Sequence, residues 1–386
     1  MTRSKKLQKP IIYVLTFFFT LHLTPAIYIN SSFLGKFLSE NQVGYLYTFA
    51  SLLTVFAFVA IRPVLLHFGN YKTFLGIIIA EVISLLIMAL SNDPILVLPA
   101  FIASFILTSL AFFNLDIFLE DISNDKDTGG IRGVFLTSLN TAFIIGPLIA
   151  GLLLTNSDFW KVYLLSAILL IPVLFILLRY IKNFKDPHYK RPEFWKTAKL
   201  VHRNHDLYSI FISGFLLRFF FAWMVIYTPI FLHEHIGFEY SQISIMIAIA
   251  LIAFILLEAF LGYLADKWIG EKEILSTGFI ITALATATMS FISIPNFWLW
   301  TAILFVTRIG ASMIEVMTET YLFKKVDSTD INIVSFFRIV RPFAYIIAPL
   351  VASILLYYIE FKFLYLVLGS LMLYGLRYSL TIRDTR

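Results

Sequence analysis

The sequence predicts an all-α membrane protein with twelve transmembrane helices, arranged as two pseudo-symmetric halves of six. Three observations support this fold class, namely the composition, a series of long apolar segments and an internal repeat. Of the 386 residues, 59% are hydrophobic and 14% are charged, whereas a soluble globular protein is typically about 45–50% apolar and about 25% charged. The composition therefore excludes an ordinary soluble domain.

Twelve apolar segments follow one another along the chain, each close to the roughly 20 residues that a helix needs to cross a bilayer. Most are joined by short connections, but the polar stretch 182–206 separates the sixth from the seventh. We therefore predict a first half at 1–181, a cytoplasmic linker at 182–206 and a second half at 207–386. The predicted helices lie near 11–32, 42–66, 72–91, 94–119, 131–155, 158–181, 207–232, 240–264, 274–293, 297–322, 332–357 and 361–380.

The second half repeats the first at an offset that rises in order from 199 to 202 residues. The matched positions are Tyr28 with Tyr227, Gln42 with Gln242, Gly69 with Gly270, and Ala142–Gly151 with Ala344–Ser353. Duplicated six-helix halves are typical of secondary transporters, whose binding site lies near the bilayer midplane between the repeats.

Lysine and arginine are divided unevenly between the two sides of the predicted bundle. With the N-terminus in the cytoplasm, the outer loops hold only Lys36, Lys161 and Lys362 of these residues, and the inner loops hold many more. Because cytoplasmic loops carry the excess of positive charge, we predict a multi-pass protein of the cytoplasmic (inner) membrane with both termini in the cytoplasm. The stretch 191–201 has Pro192 near its start, followed by basic and apolar residues. It suits a short helix at the membrane interface, and a solvated linker is the alternative.

The stretch from Glu258 to Lys272 has a pattern of its own between predicted helices 8 and 9. Gly262 permits close approach of a neighbouring helix, and Gly270 permits the positive φ of a tight turn. Asp266 can accept hydrogen bonds from the free N–H groups of the next helix or pair with a cation. Lys267, with Lys272, marks a positively charged membrane face.

This stretch resembles the signature loop of the major facilitator superfamily, written roughly Gly-x-Leu-Ala-Asp-Arg-x-Gly-x-Lys. The resemblance implies the superfamily's fold and transport of a small solute by alternating access. The first-half copy of the loop has Leu66 where the aspartate is expected. A gate that depends on this aspartate is therefore in doubt in the first half. Gly146-Pro147 in helix 5 resembles a Gly-Pro motif that the superfamily associates with exporters; such kinks also occur in membrane helices of all kinds.

Ionisable residues inside a membrane are expensive, and they are candidate functional residues by default. By the resemblance, helices 1, 4, 7 and 10 line a central cavity, and three of them carry charge near mid-depth. The candidate substrate-binding residues are His22, Tyr28, Arg218, Trp223, Tyr227 and Arg308.

Arg218 and Arg308 predict an anionic solute. Neither has an acidic residue within one turn of its own helix, and a guanidinium suits bidentate binding of carboxylate or phosphate. In the alternative, backbone carbonyls hold each arginine, or Asp116 or Glu81 reaches across to it. Glu81 itself, central in helix 3, has no functional interpretation from sequence.

The proton-coupling candidates are Asp116, Glu258 and His22. On the cytoplasmic side, we expect Glu315 or Glu319 of helix 10 to pair with Arg338 or Arg341 of helix 11, as a structural or gating contact. The residues to which the sequence assigns gating or conformational roles are Gly262, Asp266, Lys267, Gly270, Gly146, Pro147, Glu315, Glu319, Arg338 and Arg341.

Several other functions are not expected. The chain has no cysteine, no phosphate-binding loop and no metal-ligand spacing, so we expect no metal, no cofactor and no enzyme activity. The cations lie in short loops, which argues against nucleic-acid binding. The sequence thus predicts a monomeric secondary active transporter, a symporter or antiporter, whose partners are a small solute, the lipid bilayer and protons. The alternatives are a membrane enzyme acting on lipid-linked substrates and a non-transporting receptor of the same fold.

Overall fold

The computed structural model describes residues 3–122, 128–154, 158–182, 184, 186, 194–267, 269–325 and 331–383. Within these ranges all regular secondary structure is helical, which confirms the all-α prediction. Prolines lie inside several of the long helices, at Pro63, Pro99, Pro147 and Pro172 among others. Membrane helices tolerate such prolines because neighbouring groups satisfy the freed backbone carbonyls.

The first six long helices follow the predicted order. The run Glu40–Leu90 is helical except at Gly69, whose φ of 77° and ψ of 164° are non-helical, so two helices meet there. The helices are α1 (Arg3–Ile27), α2 (40–68), α3 (70–90), α4 (Pro94–Ile122), α5 (Thr128–Leu153) and α6 (Phe159–Ile176), with a helical turn Asn30–Leu34 after α1 and a π-helical end Leu177–Ile181 after α6.

The second six long helices are preceded by a short one, Phe194–Arg203, which we call the linker helix. It agrees with the helical alternative for 191–201. The others are α7 (His205–Ile230, continued by the π-helical turn Phe231–His235), α8 (Tyr240–Lys267), α9 (Glu271–Thr288, with a 3-10 turn Met289–Phe291), α10 (Phe297–Lys325), α11 (Ile331–Leu355) and α12 (Phe363–Tyr374 with Leu376–Ser379).

The lengths and apolarity of these helices fit a membrane. Among the described residues, eight helices contain a stretch long and apolar enough to cross a bilayer, and shorter apolar helices lie at Thr141–Leu153, Val340–Leu355 and Phe363–Ser379. One of the eight, Ala60–Leu90, runs across the joint at Gly69. The described chain therefore agrees with the predicted order of twelve.

The matched glycines of the internal repeat share an unusual backbone. Gly69 has a φ of 77° and Gly270 a φ of 102°, each directly before a long helix. Only glycine adopts such angles without strain. The positive φ predicted for Gly270 is thus confirmed, and Gly69 performs the same turn in the first half.

Contacts divide the chain into two compact units, one of Met1–Phe37 with Phe49–Lys190 and one of Leu38–Thr48 with Arg191–Arg386. In the first unit α1 packs against α4, α5 and α6, and in the second α10 packs against α7, α8 and α9. The start of α2 belongs to the second unit because Gly44 closely approaches Ser353 and Thr48 donates to the carbonyl of Ile346 at 3.3 Å. The domain boundaries at 181 and 206 stay a prediction.

Candidate functional site

A histidine and a glutamate form a buried pair inside the first unit. His22 Nε2 of α1 lies 3.7 Å from Glu81 Oε1 of α3, and both residues are 1% exposed. Ser104 of α4 donates to the same carboxylate oxygen at 2.6 Å. The structure therefore gives Glu81, which had no role from sequence, a direct neighbour among the predicted site residues.

One hydrogen bond of His22 identifies the ring nitrogen that carries a hydrogen. Nδ1 is bonded to the backbone carbonyl of Phe19, and because a carbonyl can only accept, Nδ1 carries a hydrogen. Nε2 is then the ring nitrogen that faces the carboxylate of Glu81. Within the described chain, Nε2 and the second carboxylate oxygen of Glu81 have no hydrogen-bond partner.

An aromatic cluster packs against His22 of this pair. The ring of Phe19 lies 4.8 Å from that of His22, and it also contacts Phe74 of α3 and Phe112 of α4. Such packing excludes water and strengthens electrostatic interactions inside it.

Charged side chains of α7 and α10 meet in the second unit. Arg218 Nη1 lies 2.8 Å from Glu315 Oε1, and Arg218 Nη2 lies 3.9 Å from Glu319 Oε1. The two glutamates are four residues apart on α10, so they share one helical face. We call Arg218, Arg308, Glu315 and Glu319 the polar cluster.

These contacts correct one expectation and part of another. The expectation that Arg218 is without an acidic partner is wrong, because α7 packs on α10 and brings the arginine to Glu315. The expected partner Arg341 lies instead 6.0 Å from the ring of Tyr345. The side chain of Arg338 lies outside the described residues, so its pairing with Glu315 or Glu319 stays a prediction. Sequence reasoning looked for partners on the same helix or on the next one. It therefore missed an ion pair formed between helices 7 and 10.

Arg308 is the most deeply buried member of the polar cluster, at 4% exposed. Its guanidinium carbon lies 5.5 Å from the ring of Phe220 and 5.8 Å from that of Phe221. Arg218 lies 5.7 Å from the same Phe221 ring. Aromatic faces attract cations, so Phe221 contacts both arginines. Sequence reasoning missed these rings, although they follow Arg218 directly.

Trp223 and Tyr227, predicted to bind substrate, are each 1% exposed. The Trp223 indole donates to the carbonyl of Ala348 at 2.5 Å, and the Tyr227 hydroxyl donates to that of Pro349 at 3.0 Å. Their polar atoms thus join α7 to α11. Tyr28 is also buried, at 8% exposed. The substrate role of these three residues stays a prediction.

The matching contact in the first unit joins α1 to α5. Thr24 donates to the carbonyl of Ala142 at 2.9 Å, and a Cβ added at Gly146 would lie 2.7 Å from the backbone carbonyl carbon of Thr24. Gly146, beside Pro147 in α5, is therefore a point of close helix approach.

The two signature loops differ in their acidic residues. Asp186 accepts from the backbone N–H of Asn70 at 2.6 Å, which places a carboxylate at the start of α3 although Leu66 replaces the expected aspartate. At the start of α9, Glu271 is fully buried and pairs with Lys324 at 2.8 Å.

The remaining predicted positions are less informative. Asp116 is half-buried on α4. The side chains of Glu258, Asp266 and Lys267, and the surroundings of Gly262, lie outside the described residues. Across the described part of the chain, no group of three His, Asp or Glu side chains could hold a metal ion.

A sequence model of the Major Facilitator Superfamily matches residues 11–327 and 210–383. The chain belongs to the major facilitator superfamily. Membership makes it a multi-pass membrane transporter and not an enzyme. No curated protein sequence matches this superfamily member.

Solved structures of other transporters share the fold. A bacterial homologue of the human lysosomal transporter Spinster, inward-facing and unoccupied, matches with a TM-score of 0.68 at 14% identity, over 98% of this chain and 94% of that one. Its occupied form matches with the same TM-score at 13% identity and the same coverage. A variant of the nucleoside transporter NupG matches with a TM-score of 0.74 at 14% identity, over 96% and 98% of the two chains. At these identities the similarity establishes the fold alone.

Proposed function

We propose that this superfamily member is a proton-coupled secondary transporter that moves a small anionic solute across the cytoplasmic membrane by alternating access. The observation that supports the proposal best is the polar cluster, in which Arg218 already binds a carboxylate at 2.8 Å. The proposed transporter acts as a monomer. Its loop cations predict that both termini lie in the cytoplasm.

The anionic part of the proposal follows from the chemistry of the cluster. A solute carboxylate or phosphate offers Arg218 the same oxygen geometry as Glu315. The solute therefore competes with Glu315 for the guanidinium, and Arg308 adds a second positive charge from the same helix as Glu315. Side-chain exposures of 23% for Arg218 and 25% for Glu315 leave this ion pair open to a competitor.

The proton part is assigned to the buried pair of His22 and Glu81. Together these side chains share one proton when the site is electrically neutral. A second proton gives a protonated His22 beside a protonated Glu81, and its release restores the neutral pair. Asp116 and Glu258 are the alternative proton carriers, and transport by single variants separates them from His22 and Glu81.

Solute uptake into vesicles tests the anionic part directly. The purified full chain is reconstituted into liposomes, a pH gradient is imposed, and uptake is compared for radiolabelled organic carboxylates, phosphate esters and neutral nucleosides. We expect uptake of an anion, its loss in Arg308→Gln, and weak uptake in Arg308→Lys, since charge contributes more than the shape of the guanidinium. Arg377→Gln, an exposed arginine of α12, is the matched control.

The proton part has its own readout in the same vesicles. Glu81→Gln is expected to abolish accumulation driven by the pH gradient while preserving exchange of labelled for unlabelled solute, because exchange needs no net proton movement. Asp116→Asn should preserve both. Normal uptake by Arg308→Gln, or selective transport of nucleosides, contradicts the anionic part, and proton-driven accumulation in Glu81→Gln contradicts only the proton part.

A further inference from the structure

One face of the linker helix is buried against neighbouring helices, and the other face is exposed. Thr197 and Val201 are 6% and 3% exposed, and they lie on the side of this helix that packs against α7 and α11. On the opposite side Trp195 is 83% exposed and Leu200 is 48% exposed. A large aromatic and a leucine thus face outward from a helix that is already anchored.

Cations lie between these two apolar side chains. Lys196, Lys199 and Arg203 follow at spacings of three and four residues, so they form one stripe along the helix. With Leu200 and Asn204 they line a cavity of about 540 Å³. Among the described side chains, no carboxylate lies within 4 Å of the Lys199 ammonium or the Arg203 guanidinium. We call this stripe and its cavity the basic face.

The basic face lies at the edge of a membrane span. The Asn204 side chain accepts from the backbone N–H groups of Asp206 and Leu207, each at 3.2 Å, and caps α7, which begins at His205. Arg203 is therefore two residues from the start of a helix long and apolar enough to cross the bilayer. The uneven division of loop cations places this end of α7 at the cytoplasmic surface.

We propose that the basic face binds the phosphate headgroup of an anionic phospholipid of the cytoplasmic leaflet. The cations contact the phosphate inside the cavity, while Leu200 and Trp195 contact the glycerol and the first carbons of the acyl chains. Tryptophan favours this depth of the bilayer because its ring is apolar and its N–H is polar. A soluble phosphate ligand would use the cations but would leave these two side chains without a role.

The binding strength follows from the charges. Each lysine or arginine close to an anionic lipid surface raises the affinity about fivefold. Lys199→Gln with Arg203→Gln is therefore expected to weaken binding about 25-fold and to reduce its dependence on salt. Trp195→Ala is also expected to weaken binding, without changing the dependence on salt.

Native mass spectrometry of the full chain, titrated with phosphatidylglycerol or phosphatidylcholine in neutral detergent, measures the affinity for the first bound lipid. We expect a preference for phosphatidylglycerol that Lys199→Gln with Arg203→Gln removes. The matched control is Lys72→Gln with Arg377→Gln, which removes two exposed cations outside the basic face. All variants change exposed side chains, and their elution as monodisperse protein is checked first.

Three outcomes overturn the proposal. Equal affinity for the two lipids shows that the face does not select charge. An unchanged preference in Lys199→Gln with Arg203→Gln places the lipid elsewhere. Displacement of phosphatidylglycerol by millimolar inorganic phosphate, with no effect of Trp195→Ala, identifies a site for free phosphate. The proposed transport function is independent of each result.

Discussion

At the scale of single residues, the ion pair of Arg218 with Glu315 makes the sharpest stability prediction. Arg218→Gln leaves a carboxylate without its charge partner in a partly buried place, and we expect a loss of about 2 kcal/mol in the free energy of unfolding. Arg218→Gln combined with Glu315→Gln should recover part of that loss. Thermal unfolding in detergent measures all four proteins of the cycle, and strictly additive effects would show that the two side chains do not interact.

Asp186 is the second residue with a specific contact. Its carboxylate accepts the N–H of Asn70 at the start of α3, where a negative charge also interacts favourably with the helix dipole. Asp186→Ala, which removes the oxygen that accepts this N–H, is expected to lower stability by about 1 kcal/mol. Glu360→Gln, which changes an exposed loop carboxylate near Lys362, is the control and should have no effect. Equal stability of the two variants would show that Asp186 does not stabilise the start of α3.

Sequence reasoning finds the ionisable residues of the site but not their partners. His22, Arg218 and Arg308 stand out because charge is rare inside a membrane. Their neighbours Glu81, Glu315 and Phe221 depend on which helices touch, and that information is absent from a single helix pattern. Asp186 escapes notice for another reason, since it lies outside the apolar segments and replaces an aspartate expected at position 66.

At the scale of helices, two glycines allow a matched test of close packing. A Cβ at Gly146 would lie 2.7 Å from the backbone of Thr24, whereas a Cβ at Gly76 of α3 would meet no atom within 4 Å. Gly146→Ala must therefore separate α1 from α5, and we expect lower thermal stability and slower transport. Gly76→Ala should raise stability by about 0.5–1 kcal/mol, because alanine is the better helix former. Equal behaviour of the two variants would contradict the packing argument.

The second-half signature loop gives a prediction about rate. Asp266→Asn is expected to slow transport while leaving folding and solute binding largely unchanged, because we expect Asp266 to act through contacts formed in one conformation only. Vesicle flux, compared with binding in detergent, separates the two effects. Unchanged flux would contradict the prediction, and Leu66→Asp need not restore a loss, since Asp186 already supplies a carboxylate to the first-half loop.

Helix existence was predictable because it depends on local apolarity, and the twelve segments match the observed order. Helix ends were less predictable. The π-helical turns Leu177–Ile181 and Phe231–His235 extend helices whose apolar patterns alone do not distinguish one helical winding from another. The positive φ of Gly270 was predictable because a tight joint between two helices favours the residue that lacks a Cβ.

At the scale of the whole molecule, the proposed function requires that the polar cluster and the pair of His22 with Glu81 each be neutral in the ligand-free protein. The formal charges of the polar cluster sum to zero, with two arginines and two glutamates, and the buried pair is neutral when it holds one proton. A monovalent anion alone makes the carrier negative, and an extra proton alone makes it positive. The empty carrier, and the carrier that holds both a monovalent anion and an extra proton, have no excess charge.

The zero net charge of the polar cluster therefore has an electrical consequence. Moving one elementary charge across a membrane potential of 100 mV changes the free energy by about 2.3 kcal/mol, so singly loaded carriers feel the voltage and the neutral forms do not. We expect one proton to accompany each monovalent anion in the same direction, without current. At a fixed pH gradient, a potassium diffusion potential set with valinomycin should leave the uptake rate of a monovalent anion unchanged and should alter that of a divalent one. Voltage-dependent uptake of the monovalent anion would mean that the charge moved per cycle is not zero.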